Sequence, residues 1–130
     1  MKLFRFMSKK EFDKLKKGEV LINTTIHKGS TNSVGFCFMN ANDNNPEYAY
    51  MFLSGIVSDE VCVVFQTNKK LKKSWGIYAT PYGAFFDTMM VDEYCTRSYS
   101  LQDFKIIKYT TKIPCAWDED ADWNWKEIEG

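Results

Sequence analysis

Apolar and polar positions in this chain follow two rhythms. Leu3-Phe4-Arg5-Phe6 sits in a short strand pattern over residues 2–6. It passes directly into "MSKKEFDKLKKG", where Phe12 and Leu15 give one apolar helical face and lysines fill the rest. Ser8 stands three residues before Glu11, the spacing of a capping box, with Met7 and Phe12 at the flanking staple positions. Gly18 ends the predicted helix. "EVLINTT" (19–25) reads as a second short strand, "IHKGSTNS" (26–33) as a polar loop, and "VGFCFMN" (34–40) as an aromatic strand. After "ANDNN", Asn45 and Pro46 form a cap followed by a first-turn proline. The helix predicted there, over 46–55, pairs Tyr48 with Phe52 and Ala49 with Leu53, and ends near Gly55.

The second half of the chain is strand-like. "EVCVVFQT" (60–67) is β-branched, apolar and of strand length. "NKKLKKSWG" (68–76) reads as a basic turn or short helix, and Pro81 and Gly83 break the strand character of "IYATPYGAFF". "TMMVDEYC" and "DFKIIKYTT" are the last predicted strands, joined by "TRSYSLQ". This order is α+β, not an alternating βαβ series. The pattern contains no repeats and no glycine-rich phosphate loop.

Composition adds the scale. A chain of 130 residues, 45% of them apolar and 16% aromatic, suffices for one domain with a working core. Formal neutrality means that bulk charge selects neither nucleic acid nor membrane. The distribution says more, because residues 114–130 carry a net charge of −5 and residues 1–113 therefore +5. The chain thus divides into a domain over 1–113 and an acidic tail over 114–130 that contains Trp117, Trp123 and Trp125. The expected place of the tail is on its own basic body, with the tryptophans as anchors. The alternative is a basic groove on a partner.

"MKLFRFM" is too short for the apolar core of a signal peptide, and no stretch approaches the roughly 20 apolar residues of a membrane span. The expectation is a cytoplasmic protein with no membrane partner. Cys37, Cys62, Cys95 and Cys115 then read as reduced, small, buried apolar residues. With no C-x-x-C pair and one histidine, His27, no metal is expected. Lysine, asparagine and isoleucine usage fits an AT-rich genome, such as a low-GC bacterium or its phage.

Two features carry candidate chemistry. Arg5 is one of only two arginines, beside 15 lysines, and it lies on an apolar strand. Its planar fork can take a phosphate or carboxylate in a way lysine cannot. Equally, alternation places it opposite in facing to Phe4 and Phe6, as an outward residue of a half-exposed strand requires. The second feature is Asp92-Glu93, at the end of an apolar run. Alternation puts Glu93, and not Asp92, on the face of Met89, Val91 and Cys95. A carboxylate on an apolar face points to a functional site; a strand end reaching water is the other reading.

The order of these features resembles the ADP-ribosyltransferase fold. "LFRFMSKKEFDKLKKGE" is similar to its opening, a strand bearing Arg or His followed by a short helix. "STNSVGFCF" resembles the Ser/Thr-rich entry to its next strand, and "DEYCTRSYSLQDFKII" its late strand with the catalytic glutamate. The resemblance spans most of residues 2–110. It implies a compact α+β domain with a central, mostly antiparallel split sheet flanked by two short helices. It further implies an Arg–Ser–Glu site that transfers ADP-ribose from NAD to a protein or nucleic-acid acceptor. Arg5 would contact the phosphate or ribose region, Ser33 would brace the pocket, and Phe36 or Phe38 would stack near the nicotinamide. Glu93 would hold the ribose 2′-OH and stabilise the oxocarbenium-like transition state. The sequence departs from that family in reading Ser30-Thr31-Asn32-Ser33, not Ser-Thr-Ser, and in lacking two glutamates spaced E-x-E. That spacing belongs to arginine-modifying members, so the acceptor stays open. A competing reading is a non-catalytic relative that inhibits a host protein through its surface and tail. A third is nucleic-acid binding through Lys69, Lys70, Lys72 and Lys73 near Trp75.

Overall fold

The computed structural model describes residues 1–23, 36–41, 46–55, 57–73, 91–115, 118 and 120–128; of residues 41, 52, 72, 73 and 91–93 it describes the backbone. His27, Ser33, Asn45, Trp75, Pro81, Gly83, Met89 and Trp117, all named above, lie outside the described residues.

β4 (Val61–Thr67) is the strand around which the rest is organised. It pairs antiparallel with β1 (Lys2–Met7) on one side and with β8 (Phe104–Thr110) on the other. β1 pairs with β3 (Phe36–Ala41), β3 with β6 (Val91–Thr96), and β6 with β5 (Lys72–Lys73). β9 (Lys126–Glu127) adds to the far side of β8, giving a seven-stranded sheet of order β5-β6-β3-β1-β4-β8-β9. β2 (Leu21–Ile22) and β7 (Ser98–Tyr99) form a separate two-stranded ladder. The architecture is α+β, with a mostly antiparallel sheet and two short helices, α1 (Lys9–Lys16) and α2 (Pro46–Leu53). Among the described residues no helix is long and apolar enough to cross a membrane.

The unbroken apolar run of β4 follows from its position, because both faces of the sheet are covered. Val61, Val63 and Phe65 join Leu3, Met7, Phe12 and Leu15 in a core under α1. Cys62 and Val64 join Phe4, Phe6, Met39, Ala49, Tyr50 and Leu53 in a second core under α2. Strand alternation thus feeds two cores from one strand. The same holds for β1, so Arg5 lies on the α1 face between Leu3 and Met7. The outward-facing reading of Arg5 fails for this reason, since its side chain is only 17% exposed.

Local signals account for the helix ends. The Ser8 hydroxyl accepts from the Glu11 N–H at 3.1 Å, satisfying one of the first-turn donors. Gly18 adopts φ +84°, a left-handed conformation that ends the helix at little steric expense. Gly55 does the same after α2, at φ +85°. The predicted face of α2 needs correction: Ala49, Tyr50 and Leu53 point inward, whereas Tyr48 is 49% exposed. The basic segment at 68–76 also differs from expectation. Instead of a turn or helix, Lys72–Lys73 add to the sheet edge opposite Cys95 and Tyr94.

The tail packs on the second core through Trp123 and Trp125. Trp123 is buried and meets Tyr50 edge-on, with ring centroids 5.6 Å apart. Trp125 stacks on Trp123 and donates its indole N–H to Glu47 at 2.6 Å. The buried Thr110 hydroxyl donates to the Trp123 carbonyl, and Lys108 lies over the Trp125 ring.

Candidate functional site: a clamped arginine beside an open cleft

The most concentrated polar chemistry among the described residues lies where β1, α1 and β7 meet. Glu11, in the first turn of α1, reaches back over the sheet. Arg5 Nε donates to Glu11 Oε2 at 2.7 Å and Nη2 donates to Oε1 at 2.8 Å, a two-bonded fork. Arg5 Nη1 donates to the Cys37 carbonyl at 3.0 Å. The Tyr99 hydroxyl, from β7, donates to Glu11 Oε2 at 2.6 Å. Phe36 and Phe38 wall the guanidinium, with their ring centroids 5.3 and 5.8 Å from its carbon.

The electrostatics follow from burial and pairing. Burial opposes the charge on Arg5, but the Glu11 carboxylate outweighs it and the guanidinium is held above its ordinary value. Burial, then the neighbouring Glu11 charge, pushes the Tyr99 phenol far up, so Tyr99 stays a neutral donor. Arg5 therefore does find a carboxylate for its fork, but the carboxylate belongs to its own chain.

An open cleft of about 500 Å³ begins at this cluster, and Ser8, Glu11, Lys14, Leu21, Asn23 and Phe36 are among the residues lining it. That volume falls in the range of small-molecule sites, roughly 300–1,000 Å³. The cleft is mixed in character: Lys10 and Lys14 bring positive charge, Glu19 brings negative, and Leu21 and Phe36 supply apolar wall. The charge of Glu11 is already matched by Arg5.

The site residues expected from the sequence distribute as follows. Arg5, Phe36 and Phe38 come together. Phe36 reaches the cleft wall. Phe38 is completely enclosed, stacked on Phe104 at 4.7 Å and edge-on to Phe65 and Tyr99. Glu93 takes the register position opposite Met39, on the α2 face of the sheet, and Asp92 the position opposite Asn40, on the same face as Phe38 and the cleft; neither of these acidic side chains is among those described. Lys69 is engaged locally, donating to the Ser98 carbonyl at 3.3 Å and lying 3.9 Å from Asp103. No group of three or more metal-ligating side chains is found among the described residues.

Glu11 and Tyr99 are not among the site residues expected from the sequence. The capping-box spacing assigned Glu11 a different partner, the backbone at Ser8. Tyr99 sat in a segment read as a connection. No family model, curated protein or solved structure matches the chain.

Proposed function

We propose that this chain is an ADP-ribosyltransferase-like protein that binds NAD in the cleft beside α1 and transfers its ADP-ribose to an acceptor. The observation that supports this reading best is the adjacency of three strands. β1 with Arg5, β3, which follows the Ser/Thr-rich segment in the sequence, and β6 with Asp92 and Glu93 are consecutive neighbours in the sheet. They come from residues far apart in the chain, and any reading that joins Arg5, Ser33 and an acid of β6 requires this neighbourhood. A cleft of nucleotide size with an aromatic wall at Phe36 adds to it.

In this reading Lys14 and Lys10 meet the pyrophosphate, Phe36 stacks against a ring, and Asp92, the acid of β6 whose register position shares the cleft's face, holds the ribose 2′-OH. Nicotinamide leaves with the electrons of the C–N bond as positive charge builds on the ribose. The acceptor nucleophile then attacks C1 of that ribose and loses its proton. Arg5 acts by holding Glu11 and backing Phe36, with the ion pair as its first task. NAD should raise the unfolding temperature of the protein, and labelled NAD should mark an acceptor. Asp92→Asn should abolish labelling by at least 100-fold while NAD still stabilises the protein. If Glu93→Gln abolishes labelling and Asp92→Asn does not, the cleft beside α1 is not where NAD binds. If NAD neither stabilises nor labels, the transferase reading fails.

A second reading draws on the tail. Trp123 and Trp125 are anchored while Asp118, Asp120 and Asp122 remain exposed, so the fold presents acids on a fixed support. A non-catalytic inhibitor would use that face. Charge reversal at these three positions then removes activity, and NAD has no effect.

A further inference from the structure

Cys37 and Cys95 are direct partners across the β3–β6 ladder, and their sulfurs lie 3.1 Å apart. The expectation of buried, inert cysteines holds for Cys62, where burial pushes the thiol well up. It does not hold for these two, which are half-buried and side by side, nor for the exposed Cys115. Directly opposed residues of an antiparallel ladder have Cα atoms about 4.5–5.5 Å apart. A disulfide accepts Cα separations of roughly 4.4–6.8 Å. The backbone is therefore already in place, and the sulfurs need to close by only about 1 Å to reach bonding distance.

We infer that Cys37 and Cys95 are a modification site, a thiol pair that a peroxide converts into a disulfide joining β3 to β6. One thiolate attacks a peroxide oxygen and breaks the O–O bond, forming a sulfenic acid and releasing hydroxide. The second sulfur attacks the sulfenic sulfur; the S–S bond forms as the S–O bond breaks, and water leaves. In total, two thiols and one hydrogen peroxide give one disulfide and two waters, with the sulfurs oxidised by two electrons and the peroxide reduced. The ladder supplies the speed of the second step, because the attacking sulfur is held in contact before oxidation begins.

The staple falls between the parts of the candidate site. Cys37 lies between Phe36 and Phe38, and its carbonyl holds Arg5 Nη1. Cys95 is three residues beyond Asp92 on the same strand. Oxidation thus ties together the strands that carry the cleft's aromatic wall and the acid. The inference stands on the ladder geometry and does not require NAD to be the ligand.

The test uses the full chain carrying Cys115→Ser, which removes the exposed competitor and leaves three cysteines. Treated with hydrogen peroxide, alkylated, and digested without reductant, it should yield a linked Cys37–Cys95 peptide pair, lighter by two hydrogens than the two thiol peptides together. Thiol titration in denaturant should fall from three to one, and dithiothreitol should restore three. The oxidised protein should unfold at a higher temperature, because the link closes a long loop of the unfolded chain. Absence of the linked pair, linkage through Cys62, or an unchanged unfolding temperature after linkage overturns the inference.

Discussion

The two faces of the central sheet are closed by different means. On the α2 face the interior is almost wholly apolar and holds no ion pair among the described residues; its polar contacts are the buried Thr110 hydroxyl to the Trp123 carbonyl and the part-buried Trp125 to Glu47. On the α1 face an aromatic cluster surrounds an ion pair near its middle, and the cleft opens beside that pair. A sealed face needs only burial. A face with an opening needs groups that tolerate both protein and water, and an Arg–Glu–Tyr network with every strong contact made is one such solution.

The comparison can be broken most severely at its aromatic centres. Phe38→Ala removes a fully buried ring stacked on Phe104, and should destabilise the α1 face by about 3–5 kcal/mol. Trp123→Ala, at the counterpart position of the α2 face, is slightly exposed and should fall at the lower end of the same range, about 3 kcal/mol. Urea unfolding of both variants checks the order.

Next comes the ion pair. Glu11→Ala leaves a largely buried guanidinium without its partner and should cost about 3 kcal/mol. If the two faces differ only in chemistry and not in shape, the triple variant Arg5→Met, Glu11→Leu, Tyr99→Phe should recover most of that loss by making the α1 face apolar. A triple variant as unstable as Glu11→Ala would mean that the network also sets the geometry.

Tyr99 gives the comparison a pH dependence. Its pKa is raised in the folded state, so its contribution is fully present below the ordinary tyrosine value of 10.0 and is lost as pH rises above it. The unfolded chain then releases the phenolic proton and the folded chain keeps it. Stability should fall above that pH by about 1.4 kcal/mol per unit from this group. Tyr99→Phe should make the fall shallower in denaturant unfolding between pH 9 and pH 11. The smallest effect expected is that of Ser8→Ala, about 1 kcal/mol from loss of the helix cap.

The fold was legible wherever one signal had one cause. β3 and β4 carry continuous apolar runs, β1 and β8 carry bulky apolar residues broken only by single charges, and Ser8 and Gly18 mark the ends of α1. The two-residue strands β5, β7 and β9 carried no such signal, because partners elsewhere in the chain make them strands. The face of α2 was partly misread because Tyr48 and Tyr50 look alike in sequence, and only packing against Phe6 and Trp123 selects Tyr50. At the site, Arg5 was conspicuous as an arginine in a lysine-rich chain. Its partner was hidden because Glu11 satisfies two patterns at once: its backbone N–H caps the helix while its carboxylate crosses to another strand. For Glu93 the sequence defined a face relative to its own strand. Register against Met39 is a property of the sheet, which no local pattern encodes.

The two ends of the sheet order carry one more consequence. Among the described residues the strands at the two ends of the sheet order, Lys72–Lys73 and Lys126–Glu127, are two residues long and made of charged residues. A long antiparallel sheet with open ends is a template on which a neighbouring molecule can add its own strand. Short terminal strands of charged residues present few backbone groups for such growth. Replacing Lys72 and Lys73 with valine should therefore leave folding intact and increase the fraction that accumulates as fibrils or precipitate on concentration.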